Sequence, residues 1–171
     1  MHNPAIQHLR HEVLVGGISN MIFNGLIAWL LLRNGSPLGW TGQGNFVGDI
    51  IATAFILPFI VSLIVIPLQR KKLAKGKLQV IDFGAGSGLQ ALVNRLPHST
   101  WKLGIIFGLI GALLFAPLLL ALVYLAGIEQ FSSLNYAIFK GIWAGALAGI
   151  LVIPMVMCAL RTQNLPAAKP A

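Results

Sequence analysis

Charged residues are scarce in this sequence, and acidic residues are the scarcest of them. Only 9% of the 171 residues are charged, whereas soluble domains carry about 25%. The AVILMFWYC residues reach 57%, which excludes a soluble globular domain and a disordered tail. Twelve basic residues against four acidic ones give a formal charge of +8. In a chain this apolar, the basic excess indicates orientation in a membrane rather than binding to nucleic acid.

Cysteine is nearly absent, and the residues that carry chemistry do not cluster. Cys158 is the single cysteine, which excludes an internal disulfide framework and a Cys-rich metal site. The acids are scattered, and no Ser/His/Asp, paired-carboxylate or Cys/His arrangement stands out, so we expect no enzyme activity and no cofactor. His8, His11 and Glu12 share a helix face with a spacing that a metal site would accept. We predict that they are solvated or interfacial polar residues and bind no metal.

Long hydrophobic runs are what the sequence has in plenty. A helix rises about 1.5 Å per residue, so crossing a hydrocarbon core of roughly 30 Å takes about 20 apolar residues. The first run is followed by LLRNGSP, which lacks the small-residue site of a cleaved signal peptide, so we predict a retained helix. The sequence therefore predicts an all-α membrane protein with four transmembrane helices. The predicted spans are 13–32, 46–68, 103–126 and 136–160.

The distribution of basic residues predicts the orientation. With four spans, most basic residues fall on one side, and only Arg33 and Lys140 lie toward the other. The positive-inside rule then places both termini and the loop 69–102 in the cytoplasm of a bacterial-type inner membrane. We expect the basic cluster 70–77 to lie against anionic lipid. The residues on the basic side are Arg10, Arg70, Lys71, Lys72, Lys75, Lys77, Arg95, Lys102, Arg161 and Lys169.

The central loop contains a glycine-rich motif. Residues 80–88, VIDFGAGSG, have the pattern of the first motif of Rossmann-type methyltransferases. A βαβ unit alone needs about 30 residues, which is most of this loop, so we expect neither a sheet nor a cofactor site. The predicted alternative is a glycine-rich turn that leads into a short interfacial helix, since apolar residues then recur at helical spacing. Those residues are Leu89, Leu92, Val93 and Leu96.

A short pattern occurs twice. LIVIP at 63–67 recurs as ILVIP at 150–154, and basic residues follow each copy. This predicts two parallel helical hairpins, units 13–72 and 100–161, although similarity between any two apolar stretches is the alternative. The order of an Asn- and Gly-bearing first helix and a Pro-containing second helix with a basic end resembles small uncharacterised bacterial two-helix membrane domains. The resemblance implies duplication of such a domain and no particular activity.

Few polar residues fall inside the spans. Asn20 and Asn24 share one face of the first span, and buried amides favour hydrogen bonds between helices. Asp49 and Lys140 enter from the same side at similar depth with opposite charges, so we predict that they are neighbours. Ionisable residues within spans indicate a functional site, although both lie near the outer ends and a structural role is the alternative. These four residues form the predicted polar path.

Aromatic and glycine residues complete the pattern. We expect Trp29, Trp40, Trp101 and Tyr136 at the membrane interfaces, where amphipathic rings are favoured. Glycines at every fourth position predict close helix packing. For the glycines of the fourth span, the predicted partner is the third span of the same chain or the fourth span of a second copy. The predicted packing glycines are Gly104, Gly108, Gly141, Gly145 and Gly149.

Together these features predict a small permease-like protein of the inner membrane. Four short helices enclose little room, so we expect the protein to act as a homo-oligomer that moves a small solute or ion. The alternative is a non-catalytic accessory or assembly subunit that packs into a larger membrane complex through its glycine faces.

Overall fold

The computed structural model describes residues 4–42, 44–81 and 88–162 and is mostly helical. All the helices except the short α3 are long and apolar enough to cross a membrane. The described part therefore has the four long helices that the hydrophobic runs predict. The helices are α1 (Pro4–Leu32), α2 (Phe46–Ala74), α3 (Gly88–Arg95), α4 (Thr100–Leu125) and α5 (Ser133–Ala159).

Two of the long helices begin at side-chain caps. Asn45 Oδ1 accepts a hydrogen bond from the Gly48 N–H at 2.8 Å, and Ser132 Oγ accepts one from the Asn135 N–H at 3.3 Å. These bonds satisfy backbone donors that have no partner within the first turn of a helix. The caps explain why α2 and α5 begin where two short connections end, one after α1 and one after α4. In the predicted orientation these are the outer connections, and the end of the bundle that they form is the outer end.

The helices extend beyond the apolar runs at the basic end. α1 begins at Pro4 rather than at residue 13, and α2 continues to Ala74 rather than 68. Proline suits a first helical position because its missing N–H has no partner to lose there. Gly76, with φ of +69°, ends α2 in the left-handed conformation that favours glycine. The apolar run is therefore shorter than the helix that contains it, because backbone hydrogen bonding continues into polar sequence.

Two of the four long helices form a central pair, and one further helix packs on each of them. α2 and α5 contact each other at the centre, α1 packs along α5, and α4 packs along α2. α5 is the most buried helix, with 72% of its most apolar window inside the bundle, against 6% for α1. Glycine and alanine are seven of the sixteen buried residues of α5, so its neighbours can approach it closely.

A π-helical turn, Gly111–Phe115, interrupts α4 just before Pro117. Pro117 has no N–H, and its ring crowds the carbonyl four residues earlier, so a regular α-helix is disfavoured at this point. On the facing side, a Cβ atom at Gly111 would lie 1.8 Å from the Ala54 carbonyl oxygen. Only glycine permits this approach of α4 to α2.

Aromatic side chains close the outer end of the bundle. The strands β1 (Leu38–Gly39) and β2 (Gln130–Phe131) pair antiparallel across it. Trp40 Nε1 donates a hydrogen bond to the Ile128 carbonyl oxygen at 2.8 Å. The prediction for Tyr136 is wrong, because its side chain is fully buried among aromatic rings rather than placed at a membrane interface.

The basic end carries the short helix that the loop sequence predicts, α3. Val93 is buried against the bundle, whereas Leu89 and Leu92 are exposed. The Ile81 N–H donates to the Leu160 carbonyl oxygen at 2.9 Å, which ties the loop to the end of α5. The central residues of the glycine-rich motif, 82–87, lie outside the described residues.

Candidate functional site: a polar groove between α1 and α2

A groove of about 550 Å³ runs between α1 and α2. It exists because α1 packs along α5 and contacts α2 mainly near its own start, which leaves the facing sides of α1 and α2 apart over most of their length. One side of the groove is open. Isoleucines and leucines of α2 form most of its apolar wall. The polar residues that line it are Glu12, Ser19, Asn20, Asn24, Asp49 and Thr53.

The two asparagines line the middle of the groove, but they do not join helices. Asn20 Nδ2 donates to the Gly16 carbonyl oxygen at 2.8 Å, and Asn24 Nδ2 donates to the Asn20 carbonyl oxygen at 3.0 Å. The predicted interhelical bonds are therefore wrong, because a carbonyl one turn back is always within reach and the facing helix stands away. Both side-chain carbonyl oxygens are left as acceptors without a partner among the described residues.

Asp49 and Lys140 meet at the outer end, as their similar depth predicts. Lys140 Nζ lies 2.7 Å from both carboxylate oxygens of Asp49. The Tyr136 hydroxyl donates a further short hydrogen bond to Asp49 Oδ2. The Lys140 side chain is only 13% exposed and does not line the groove. It is connected to the groove only through its ion pair with the Asp49 carboxylate.

Tyr136 is the partner that sequence reasoning misses. A tyrosine next to a span is usually assigned to the membrane interface, so its hydroxyl is not considered as a hydrogen-bond donor to a residue of another helix. Its position one turn before Lys140 on the same helix face was the available signal, since residues four apart are neighbours.

Paired charges also occupy the basic end of the groove. Glu12 Oε1 lies 3.8 Å from His8 Nε2 and 3.9 Å from Lys72 Nζ. His8 Nε2 also lies 3.1 Å from Oε1 of the buried Gln69. His8 and Glu12, which were predicted to be solvated or interfacial, thus contact α2, whereas His11 is exposed. The described residues contain no group of three potential metal ligands.

The glycines of α5 pack against α1, which neither predicted partner matches. A Cβ atom at Gly145 would lie 2.8 Å from the Gly17 carbonyl oxygen, and one at Gly141 would lie 2.8 Å from the Met21 carbonyl oxygen. Gly149 is looser, with its nearest neighbour, Val13, at 3.6 Å. The prediction of α4 or of a second copy is wrong because α1 carries glycines of its own that match this spacing.

The glycines of α4 receive aromatic rings from α2. A Cβ atom at Gly104 would lie 3.0 Å from the Phe59 ring, and one at Gly108 would lie 2.9 Å from the Phe55 carbonyl oxygen. The two rings are stacked, with centroids 6.0 Å apart. All five predicted packing glycines therefore lie at contacts between helices of the same chain.

The site thus combines unpaired acceptors at mid-depth with paired charges at both ends. Three of the predicted path residues, Asn20, Asn24 and Asp49, line one groove, and Lys140 contacts the third of them. Comparison with protein-family models, curated protein sequences and solved structures finds no match.

Proposed function

We propose that the protein is a small permease-like protein of the inner membrane and that the groove between α1 and α2 is its solute path. The observation that carries this proposal is the alignment of polar side chains along one groove between two apolar helices. Asp49 and Leu68 both line it, and 19 residues of helix span about 28 Å, close to the thickness of a hydrocarbon core. Polar groups at this depth are costly unless they serve packing or passage, and the asparagine oxygens serve no packing bond.

The proposal includes an orientation and a lipid partner. α1 starts and α5 finishes at the end that carries the basic cluster 70–77, and positive charge favours the cytoplasmic side. Both termini are then cytoplasmic, and the cluster faces anionic lipid. Arg33 and Lys140, toward the opposite end, are the exceptions.

A duplicated hairpin accounts for the arrangement of the helices. Asp49 and Tyr136 are 87 residues apart. The same offset relates the caps Asn45 and Ser132, and the prolines Pro67 and Pro154. In such a repeat, α1 corresponds to α4 and α2 corresponds to α5. The contact between α1 and α5 then corresponds to the contact between α4 and α2, and both are present. A parallel repeat with its axis along the membrane normal has these properties.

We further propose that a second copy closes the open side of the groove. A path that is open to lipid along its length would let a polar solute escape into contact with hydrocarbon, which is costly. The glycine faces are filled within the chain, so this contact uses the exposed sides of α1 and α2.

Reconstitution into proteoliposomes tests the path. A solute screen with the wild type identifies a substrate, and Asn24→Leu should then reduce the initial uptake rate by about tenfold, the effect of losing about 1.4 kcal/mol of interaction. Asn135→Leu is the matched control, since Asn135 is exposed on α5 and lies outside the groove. Equal uptake by the Asn24→Leu and control variants would exclude the groove as the path.

The alternative function is an accessory subunit of a larger membrane complex. The glycine faces do not favour it, because α1 and α2 already fill them. Purification in mild detergent distinguishes the two functions: a homo-oligomer supports the permease, and co-purification with a stoichiometric partner supports the accessory role.

A further inference from the structure

Arg161, at the end of α5, is a fully buried cation. Its Nη1 donates to the carbonyl oxygens of Val93 and Leu96 at 3.1 and 2.8 Å, and its Nη2 donates to that of Pro97 at 3.0 Å. These carbonyls lie at the end of α3 and just after it. Arg161 therefore fixes the loop to the bundle, and its buried Nε has no hydrogen-bond partner within the part of the chain that the structure describes.

Arg70, near the end of α2, contacts the start of α4, a few residues further along the chain. Its Nη1 donates to Thr100 Oγ1 at 3.2 Å, which orients the guanidinium. Its Nε and Nη2 are buried and have no hydrogen-bond partner among the described residues. In arginine, Nε and one Nη form the edge that binds two oxygens of a carboxylate or phosphate in parallel. Arg70 therefore holds this edge, the Arg70 fork, in place without an acceptor.

No carboxylate neutralises the two guanidinium groups within the described residues. Glu12 pairs with Lys72 and His8, and Asp49 pairs with Lys140. Arg70 and Arg161 are close enough for their charges to repel. The Arg161 side chain is fully buried, and Arg70 is partly buried with two buried, unused donors, so this pair of like charges is strongly unfavourable unless an anion joins them.

We propose that the Arg70 fork, beside Arg161, is a binding site for a phosphate-type oxyanion at the cytoplasmic end of the bundle. The ligand is either a phospholipid headgroup or free phosphate, since both present the oxygens that the fork recognises. This is a single site with defined donors, distinct from the diffuse attraction of lipid to the exposed lysines of the 70–77 cluster. It is separate from the groove and stands whether or not the groove carries a solute.

Ligand titration of the intact protein in neutral detergent tests the site. The midpoint of thermal unfolding is measured with added phosphatidylglycerol, with inorganic phosphate, and with sodium chloride at matched ionic strength. We expect a saturable rise that sodium chloride does not reproduce. A rise with inorganic phosphate identifies a free-phosphate site, and a rise with the lipid alone identifies a headgroup site. No saturable rise with either overturns the proposal.

A substitution that keeps the charge tests the fork itself. Arg70→Lys removes the two-donor edge and should weaken the apparent affinity by at least about tenfold. Arg95→Lys makes the same change at an exposed arginine at the end of α3 and should leave the affinity unchanged. Equal binding by Arg70→Lys and wild type overturns the proposal. If Arg70→Lys does not fold, the wild-type titration still decides.

The Asp82 carboxylate is the alternative anion for the Arg70 fork within this chain. Asp82 directly follows Ile81, whose N–H donates a hydrogen bond to the carbonyl oxygen of Leu160, the neighbour of Arg161. If the Asp82 carboxylate neutralises the arginines, Asp82→Asn should gain a phosphate response that the wild type lacks. That result overturns the proposal, whereas an Asp82→Asn response equal to that of the wild type supports it.

Discussion

An ion pair at Asp49 joins the two central helices, α2 and α5. α2 supplies the carboxylate, and α5 supplies both the Lys140 ammonium and the Tyr136 hydroxyl. The Asp49 side chain is 37% exposed and that of Lys140 is 13% exposed, so the pair lies between a surface ion pair and a buried one. Surface pairs contribute about 0 to 1 kcal/mol, whereas removing one partner of a buried pair costs about 3 to 5 kcal/mol.

A double-mutant cycle should reveal this coupling. We expect Asp49→Asn alone to lower the free energy of unfolding more than Asp49→Asn combined with Lys140→Gln, because the single change leaves the ammonium without a counter-charge. An intermediate environment gives a coupling energy of about 1 to 3 kcal/mol. Thermal unfolding in detergent measures it, and additive effects would show that the contact contributes nothing.

The sequence predicts which charged residues lie at the same depth, but it does not predict the hydrogen-bond partners of the asparagine side chains. Depth follows from counting residues along an apolar helix, so the contact between Asp49 and Lys140 was predictable. The bonds of Asn20 and Asn24 depend on how far α1 stands from α2, which no local pattern encodes. Tyr136 was misplaced for a related reason, because its burial depends on the aromatic cluster that the two outer connections bring together.

At the scale of helices, the contact between α1 and α5 depends on glycines on both sides. Lipid is as apolar as these helices, so close van der Waals contact must hold α1 in place. Sequence spacing identified the packing face of α5, whereas its partner depends on the global arrangement and was predicted wrongly. The match between Gly17 on α1 and Gly145 on α5 requires both helices to be placed first.

Two glycines of α5, one turn apart, should respond oppositely to alanine. Gly145→Ala places a methyl group 2.8 Å from the Gly17 carbonyl oxygen, so α1 must move, and overpacking of this kind costs about 1 to 3 kcal/mol. Gly149→Ala meets its nearest atom at 3.6 Å, an ordinary contact, and should be neutral or stabilising by up to about 1 kcal/mol.

Unfolding midpoints of the two variants in the same detergent measure the difference. Gly145→Leu should prevent folding rather than abolish only an oligomer, because the partner helix belongs to the same chain. A folded monomeric Gly145→Leu protein that has lost self-association would contradict the internal contact with α1.

At the scale of the whole molecule, the basic cluster and three helix ends or connections lie at the same end of the bundle. α3, the exit of α2 and the start of α1 lie together, and the basic cluster lies with them. The two short outer connections lie at the other end, where β1 and β2 pair. Hydrophobic runs predicted the number of long helices because each run must satisfy its own backbone in lipid. The order of the helices around the centre follows from side-chain fit, which periodicity cannot supply.

The orientation of this molecule can be tested by labelling single cysteines. In a Cys158→Ser background, Ser87→Cys reports on the central loop, and Thr41→Cys reports on the first outer connection. Moving the basic cluster across the membrane would place it against the membrane potential and away from anionic lipid, so we expect the central loop to be cytoplasmic. A membrane-impermeant maleimide should therefore label Thr41→Cys in intact cells and label Ser87→Cys only after permeabilisation. Thr41 is exposed, so its reaction also verifies that the reagent works on intact cells. The reverse pattern would invert the orientation and move the oxyanion site at Arg70 to the outer face, whereas labelling of both positions in intact cells would mean that the chain does not span the membrane as proposed.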